Sequence, residues 1–185
     1  LFSQFIQKWL ESAKPRLEPT TYAGYKKWID GVICPYFDEM KITVKELSAA
    51  DLETFYRKAQ RTRSPNTVIK FHANIRESLQ WGIRHGYVLT NVADVAEKPK
   101  KEPFLPHFYN LDKMKKLLDE VRGTQLEFAV VMACHYGLRR EEIVGLKWDA
   151  IDFQYKQIEI KHIVTEAVVD GHYQQISLDR AKTEK

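Results

Sequence analysis

Apolar side chains recur at three- and four-residue intervals through most of the first ninety residues, and this spacing is typical of amphipathic helices. The first such stripe lies within residues 2–10, and Pro15 is expected to end its helix. A second helix is predicted to begin after Pro19, with Thr20 or Thr21 as its N-cap, and to end at Pro35.

Two further helices are indicated by capping signals. Ser48 precedes apolar positions that continue to about Gln60. Ser64-Pro65 begins a helix that runs to about His85, because proline is favoured at the first helical position, and Gly86 is placed to be its C′ residue. The first part of the chain is therefore predicted to be a four-helix unit, with a helical turn near Val92.

The pattern changes after residues 98–106, a charged segment with prolines that is predicted to be a linker. Two helices are expected between Asn110 and His135, the second almost wholly apolar, and Gly137 ends it. From Ile151 the apolar period shortens toward two, and Ile158, Ile160 and Ile163 alternate with polar residues as in a strand. Asp170-Gly171 is a hairpin signal, with residues 172–178 as the returning strand. We expect a helical domain at 1–97 and an α+β domain at 107–185, so that the fold is mainly α with a small antiparallel sheet.

The basic excess lies in the first half of the chain. Residues 1–102 carry 17 Lys and Arg against 12 Asp and Glu, whereas residues 103–185 carry 12 against 13. This favours, weakly, a polyanionic partner, because Lys and Arg neutralise phosphates. Cys34 and Cys134 lie a hundred positions apart without zinc-ligand spacing, and no apolar run approaches membrane-spanning length. These features favour a cytoplasmic protein without a disulfide framework or a zinc site.

Arg139 is the strongest candidate for chemistry. It follows the glycine that ends an apolar helix, and it precedes a turn whose apolar residues face inward. A guanidinium held there is suited to grip two oxygens of a phosphate. The alternative is structural: an arginine at a helix end that bonds carbonyl groups or pairs with Glu142, three residues later. The local pattern alone favours this structural alternative.

The run from Ala129 to Asp152 resembles the first catalytic box of the tyrosine recombinases, the phage-type integrases. The residues in step with that box are Gly137, Leu138, Arg139, Glu142, Ile143, Leu146, Trp148, Ile151 and Asp152. The resemblance implies that Arg139 clamps the scissile phosphate and that Glu142 holds the geometry of the site. Arg140 and Glu141 have no counterpart in the box, and we interpret them as solvated charges.

Lys182 stands in an Arg-Ala-Lys-Thr run that follows the predicted hairpin. In the family, a lysine after the second strand, often followed by threonine, reaches into the minor groove beside the cleavage point. The resemblance therefore implies that Lys182 protonates the leaving 5′ oxygen. Without the resemblance, a lysine at a strand end is ordinarily a surface charge.

Three shorter patterns, within residues 20–25, 64–68 and 86–92, resemble the SAM-like core-binding domain of integrases. In that domain two helices lie across the major groove of DNA, and they match the second and fourth helices predicted here. The polar faces of these helices offer Thr20, Lys26, Lys27, Asn66, Lys70 and Asn74. Lysine is suited to phosphates and asparagine to adenine. The alternative is a solvated face without a partner, as on any amphipathic helix.

The family's site continues with a His-x-x-Arg pair, a further His or Trp and a nucleophilic tyrosine, and none of these is recognised in the sequence. The resemblance therefore implies a front part of the catalytic domain that cannot form a phosphotyrosine by itself. Complete enzymes of the family act as tetramers on double-stranded DNA, and their mechanism needs no metal and no nucleotide cofactor. Two alternatives stay open: a non-catalytic DNA-binding remnant or regulator, and a helical protein-interaction domain.

Overall fold

A computed structural model describes residues 1–169 and 172–179, and the chain divides into two compact units. The first unit, Leu1–Phe104, is named the helical unit, and the second, Leu105–Lys185, is named the mixed unit. Within the described residues no helix is both long and apolar enough to cross a membrane.

The helical unit is built from five α-helices that enclose one apolar interior. These helices are α1 (Phe2–Ala13), α2 (Pro19–Trp28), α3 (Cys34–Met40), α4 (Ala49–Gln60) and α5 (Pro65–Arg84). A 3₁₀ turn follows α1 at Lys14–Arg16, and another lies at Val92–Asp94. Every helix contributes buried side chains to the interior, among them Phe2, Tyr22, Phe37, Phe55 and Phe71.

The capping signals of α4 and α5 are confirmed. The backbone N–H of Asp51 donates to Ser48 Oγ over 3.3 Å, so α4 begins at the residue after Ser48. The N–H of Thr67 donates in the same way to Ser64 Oγ at the start of α5, also over 3.3 Å. Beyond the end of α5, Gly86 has a φ of +70°, a conformation that glycine adopts without strain.

Two boundaries predicted around α2 are wrong. The helix begins at Pro19 with Glu18 as its N-cap, so the threonines lie inside the first turn. Proline fits the first helical position, because the backbone N–H that proline lacks would have no hydrogen-bond partner within the helix at that position. The helical path also continues past Pro35: a π-helical turn at Ile29–Ile33 leads into α3, which makes five helices rather than four. The wider turn accommodates the proline ring without breaking the path.

The mixed unit combines three helices with two small antiparallel sheets. Its elements are α6 (Leu111–Glu120), α7 (Glu127–Tyr136), α8 (Arg140–Val144), β1 (Ile151–Asp152), β2 (Gln157–Ile158), β3 (Ile163–Val169) and β4 (His172–Leu178). The first sheet pairs β1 with β2, and the second pairs β3 with β4 from Ile163 opposite Leu178 to Val169 opposite His172. The predicted return strand is confirmed, and the predicted Asp170-Gly171 turn lies outside the described residues.

One strand prediction needs a correction, and the fold class is confirmed. The alternating isoleucines of residues 158–163 do not form one strand, because the chain leaves the first sheet after Ile158 and enters the second at Ile163. The architecture is mainly helical with small antiparallel sheets, as the sequence predicts. Apolar burial is sparse in the mixed unit: among its described residues, the buried hydrophobic side chains are Met132, Ile163 and Ala167.

Candidate functional site

Arg139 lies at the junction between α7 and α8. The left-handed Gly137, with a φ of +66°, ends α7 and turns the chain. Arg139 then takes the N-cap position of α8 in an extended conformation, with φ −72° and ψ 153°. Its side chain is 64% exposed, so it projects from the start of the helix into solvent and does not lie at the edge of the apolar core.

Glu142 holds Arg139 from two directions. One carboxylate oxygen accepts the backbone N–H of Arg139 over 2.8 Å, and the other accepts from Nη1 of the guanidinium over 2.9 Å. The Glu142 side chain is only 11% exposed. The bond from the Arg139 backbone is the largest cause that lowers the pKa of Glu142, and the bond and charge of the guanidinium add to it. The carboxylate is therefore ionised at neutral pH.

The ion pair between Arg139 and Glu142, which the structural alternative predicts, is thus present, and it occupies only one edge of the guanidinium. Among the residues that the structure describes, Glu142 is the one hydrogen-bond partner of the Arg139 side chain. Because the side chain is 64% exposed, its remaining N–H groups are accessible to an anion. A fork held on one side and open on the other has the geometry for bidentate contact with a phosphate.

Glu141 and Gly145 join α8 to β3, and sequence reasoning missed both. Glu141 is half-buried and accepts a hydrogen bond from Thr165 Oγ1 over 3.2 Å, so its interpretation as a solvated charge is wrong. A Cβ on Gly145 would lie 2.7 Å from the Cα of Ile163 and 2.8 Å from the carbonyl oxygen of His162. Gly145 itself is the feature of the sequence that could have indicated this contact, because an isolated glycine in a helical pattern usually has a packing reason.

Lys182 lies outside the described residues, and the described end of β4 leads up to it. Asp179 accepts hydrogen bonds from His162 Nδ1 at 2.6 Å and from Lys147 Nζ at 3.5 Å. The bond from His162 and then the charge of Lys147 lower the pKa of Asp179, which is therefore a carboxylate at neutral pH. His162 also lies 2.8 Å from Ser177 Oγ through Nε2, so both ring nitrogens have a hydrogen-bond partner.

The polar faces of α2 and α5 adjoin at the end of α2. Lys70 of α5 lies with Nζ 5.5 Å above the centre of the Trp28 ring, and Trp28 is the last residue of α2. Lys27 precedes Trp28 and is exposed, whereas Lys26 forms an ion pair with Asp30 at 2.9 Å. Thr20 is half-buried in the first turn of α2. The structure therefore places Lys70 beside Trp28, the residue that directly follows Lys26 and Lys27 in the sequence.

The two asparagines predicted on this face are engaged differently. Asn74 is only 3% exposed, so its assignment to an exposed face is wrong. The buried face of α5 is wider than the apolar stripe, because α5 packs against α1, α4 and the 3₁₀ turn at Val92–Asp94. Asn66 lies in the first turn of α5, and its amide is bonded to the backbone of Glu102 at 3.0 and 3.1 Å.

Cysteine and metal chemistry receive no support within the described part of the chain. Burial raises the pKa of the Cys34 thiol to about 12, and Asp30 and Asp38 add to the rise, so this thiol is not reactive. Cys134 is unpaired and half-buried. Across residues 1–169 and 172–179, no group of three or more His, Cys, Asp or Glu residues is placed to hold a metal ion.

Comparison with known proteins gives matches over both units. Residues 1–60 match the family model of the phage integrase N-terminal SAM-like domain. A tyrosine recombinase XerC-like protein of Caldanaerobacter subterraneus subsp. tengcongensis is 23% identical in an alignment of 138 residues that covers 70% of this chain and 34% of that protein. The chain therefore spans about a third of this curated relative.

Solved integrase structures share the fold. The Tn1549 transposon integrase, in complex with circular intermediate DNA, superposes with a TM-score of 0.72 at 16% identity over 97% of this chain and 60% of that one. A lambda integrase tetramer bound to a Holliday junction gives a TM-score of 0.68 at 13% identity over 95% of this chain and 49% of that one. The resemblance to phage-type tyrosine recombinases is thereby confirmed.

Proposed function

We propose that this chain is the DNA-binding part and the leading catalytic part of a tyrosine recombinase that integrates a phage or another mobile element. The observation that carries the proposal is the Arg139–Glu142 pair at the start of α8, whose guanidinium is fixed on one edge and open on the other. It lies in the run that resembles the family's first catalytic box. The SAM-like match at residues 1–60 supports the DNA-binding part.

The reaction needs charge neutralisation at a phosphate. A tyrosine hydroxyl attacks the phosphorus, a 3′-phosphotyrosine bond forms, and the bond to the 5′ oxygen breaks to leave a free 5′-hydroxyl. The open edge of Arg139 offsets the negative charge that builds up on the phosphoryl oxygens, and Glu142 keeps the guanidinium in place. Lys182 gives the proton that the departing 5′ oxygen takes up. In this proposal the complete enzyme supplies the tyrosine.

DNA is held by the polar faces of α2 and α5. Lys27 and Lys70 contact phosphates, and Lys26 joins them by exchanging its bond to Asp30 for one to DNA. Thr20, in the first turn of α2, contacts the backbone with its hydroxyl. The complete enzyme acts as a homo-tetramer on inverted-repeat duplexes in the bacterial cytoplasm, at the nucleoid.

The DNA face is tested by the salt dependence of duplex binding. We expect the chain to bind an arbitrary duplex at low ionic strength, with an affinity that falls steeply as salt rises. The double variant Lys27→Ala/Lys70→Ala should lower the slope of log K against log salt by about two, because each lost phosphate contact releases about one counterion fewer. Lys113→Ala, on the exposed face of α6, is the matched control and should leave the slope unchanged. Absence of binding at low salt would favour a protein-interaction domain instead.

The catalytic role is tested by Arg139→Lys in the complete enzyme. We expect duplex binding to change little and the covalent complex on a suicide substrate to be lost, because an ammonium group cannot replace the bidentate fork. Arg140→Lys, at the exposed neighbouring position, is the control and should retain both activities. A normal covalent complex in Arg139→Lys would refute the assignment. If the unaltered complete protein binds DNA and never forms the complex, it is a non-catalytic regulator.

A further inference from the structure

Asn66 makes a reciprocal contact with one residue of the segment that leaves the helical unit. Its Nδ2 donates to the carbonyl oxygen of Glu102 over 3.0 Å, and the N–H of Glu102 donates back to its Oδ1 over 3.1 Å. A side-chain amide thus pairs with both backbone groups of one residue, as a neighbouring strand would. The two bonds together fix the position and direction of the backbone at Glu102.

Residues 91–102, named the strap, are attached to the helices along their length. Asn91 Nδ2 donates to the carbonyl oxygen of Arg76 over 3.0 Å, and the Arg76 guanidinium contacts Asp94 at 2.6 Å. Further along, the N–H of Glu97 donates to Glu53 of α4 over 3.0 Å. Ala93 and Ala96 are buried between these contacts. The strap is therefore a packed part of the helical unit.

The strap runs back along α5 toward the beginning of that helix. Its first contacts are at Arg76, and its last contact is at Asn66, ten residues nearer the N-terminus of α5. Ten helical residues correspond to about 15 Å along the axis. The chain therefore leaves the helical unit beside the first turn of α5, rather than near Gly86 where the helix ends.

We propose that Asn66 is the positioning residue that fastens the end of the strap and so fixes the point at which the chain leaves the helical unit. The free tether to the mixed unit then begins after Glu102, although the charged composition from residue 98 onward predicts a linker. When one unit is bound to DNA, a shorter tether raises the effective concentration of the other unit at that DNA site. Only this last consequence rests on the proposed function.

Because of this contact with Glu102, the Asn66 amide is not available to read a base. Bidentate recognition of adenine needs both the N–H₂ and the oxygen of the amide, and Glu102 uses both. A base contact would therefore require both bonds to the strap to break. The carboxylate of Glu102 takes no part in the pairing, so this residue supplies a matched control.

The contact between the Asn66 amide and the backbone of Glu102 is named the clasp, and hydrogen exchange on the whole chain tests it without DNA. In Asn66→Ala we expect the amide of Glu102 to exchange roughly tenfold faster and trypsin to cleave after Lys100 and Lys101 correspondingly faster, because two hydrogen bonds are lost. Glu102→Ala keeps both backbone groups and should change neither rate more than about twofold. Asn66→Asp keeps the oxygen at a favourable helix N-terminus, so it should fold and protect the Glu102 amide more than Asn66→Ala does. Equal exchange at Glu102 in the unaltered chain and in Asn66→Ala would overturn the proposal.

Sequence discrimination separates the clasp from base reading. The probes are a duplex selected from a random pool by the unaltered chain and versions of it with single A·T pairs replaced by G·C. If Asn66 is a clasp, Asn66→Ala changes the affinity for all of these duplexes by one common factor. If it reads adenine, discrimination at one A·T position falls by roughly tenfold, and the proposal is wrong. Failure of the unaltered chain to bind any duplex would sink the proposed function, while the exchange result would still decide the clasp.

Discussion

The helical unit and the mixed unit contain helices that begin with the same kind of cap, but the two units bury very different amounts of apolar surface. Ser48 caps α4 and Asn110 caps α6, each by accepting the N–H of the third helical residue. Yet the helical unit encloses a continuous interior from Phe2 to Ala96, whereas α7, which is apolar on nearly all sides, has Met132 as its buried residue. The difference shows that helix capping and helix burial have different determinants. Caps depend on neighbours in sequence, and burial depends on what packs across a helix.

The largest expected contrast is between two aromatic side chains. Phe71 is fully buried, and its ring lies near those of Trp28 and Phe55, so Phe71→Ala should lower the free energy of unfolding by about 3–5 kcal/mol. Trp148 is 82% exposed in the mixed unit, and Trp148→Ala should change it by less than about 0.5 kcal/mol. Urea unfolding followed by far-UV circular dichroism measures both. Equal losses would show that the two units do not differ in packing as described.

The next contrast is between two glycines. Gly145→Ala should destabilise the mixed unit by about 1–3 kcal/mol, because its Cβ would overlap the backbone of β3, which cannot move aside as a side chain can. Gly24→Ala, in α2, meets no atom within 4 Å and should instead stabilise the helical unit by up to about 1 kcal/mol through helix propensity. Thermal unfolding of each variant gives the sign. A stabilising Gly145→Ala would contradict the close approach of α8 to β3.

The helical unit is also expected to be sensitive to acid through His72. Its ring is buried beside Tyr56, and burial lowers its pKa, with the charges of Lys98 and Arg76 adding to the effect. The fold therefore favours neutral histidine. The stability it contributes is complete above the unfolded pKa of about 6.5 and is lost as the pH falls through the lower folded pKa.

Urea midpoints between about pH 7.5 and about pH 5 measure this sensitivity. They should fall with pH in the unaltered chain and fall less in His72→Gln. An unchanged pH dependence in the variant would assign the effect to other groups. The prediction sharpens the comparison of the two units, because His162 in the mixed unit is paired with an exposed carboxylate, whereas His72 is buried in the helical unit.

The smallest expected effects concern the caps, where the units should behave alike. Ser48→Ala and Asn110→Ala each remove the acceptor for one backbone N–H, and each should cost about 1 kcal/mol of helix stability. Amide exchange of Asp51 and Lys113 reports the two losses locally. A large loss at one cap and none at the other would show that tertiary packing, and not the local bond, holds that helix start.

Sequence reasoning succeeded where the deciding atoms are close along the chain. Ser64 and Gly86 frame α5 as predicted, and Arg139 and Glu142 meet because they are three residues apart on one turn. It failed where distant segments meet. Asn74 was predicted to be exposed because the pattern of α5 alone does not show that α1, α4 and the 3₁₀ turn at Val92–Asp94 all pack against this helix.

The same limit applies to the candidate site. Glu141 looked solvated because its partner Thr165 lies on another element, and the close approach at Gly145 depends on β3. The roles of Arg139, Glu142 and Lys182 in chemistry stay predictions that the Arg139→Lys experiment addresses. The local pairing of Arg139 with Glu142 could be predicted from their spacing, whereas the contacts between α8 and β3 could not.

The π-helical turn at Ile29–Ile33 behaves as an insertion that the helix has absorbed. The N–H of Cys34 reaches back five residues to the carbonyl oxygen of Ile29, one residue more than in an α-turn. Each residue turns an α-helix by about 100°, and the wide turn takes up this rotation, so the helix after it keeps the orientation that it would have with one residue fewer. Cys34 and Phe37 therefore face the interior that they fill. Deleting one residue within Ile29–Ile33 should convert the wide turn into an α-turn and leave these faces in place, whereas deleting one residue in the middle of α5 should rotate part of its buried face by about 100°.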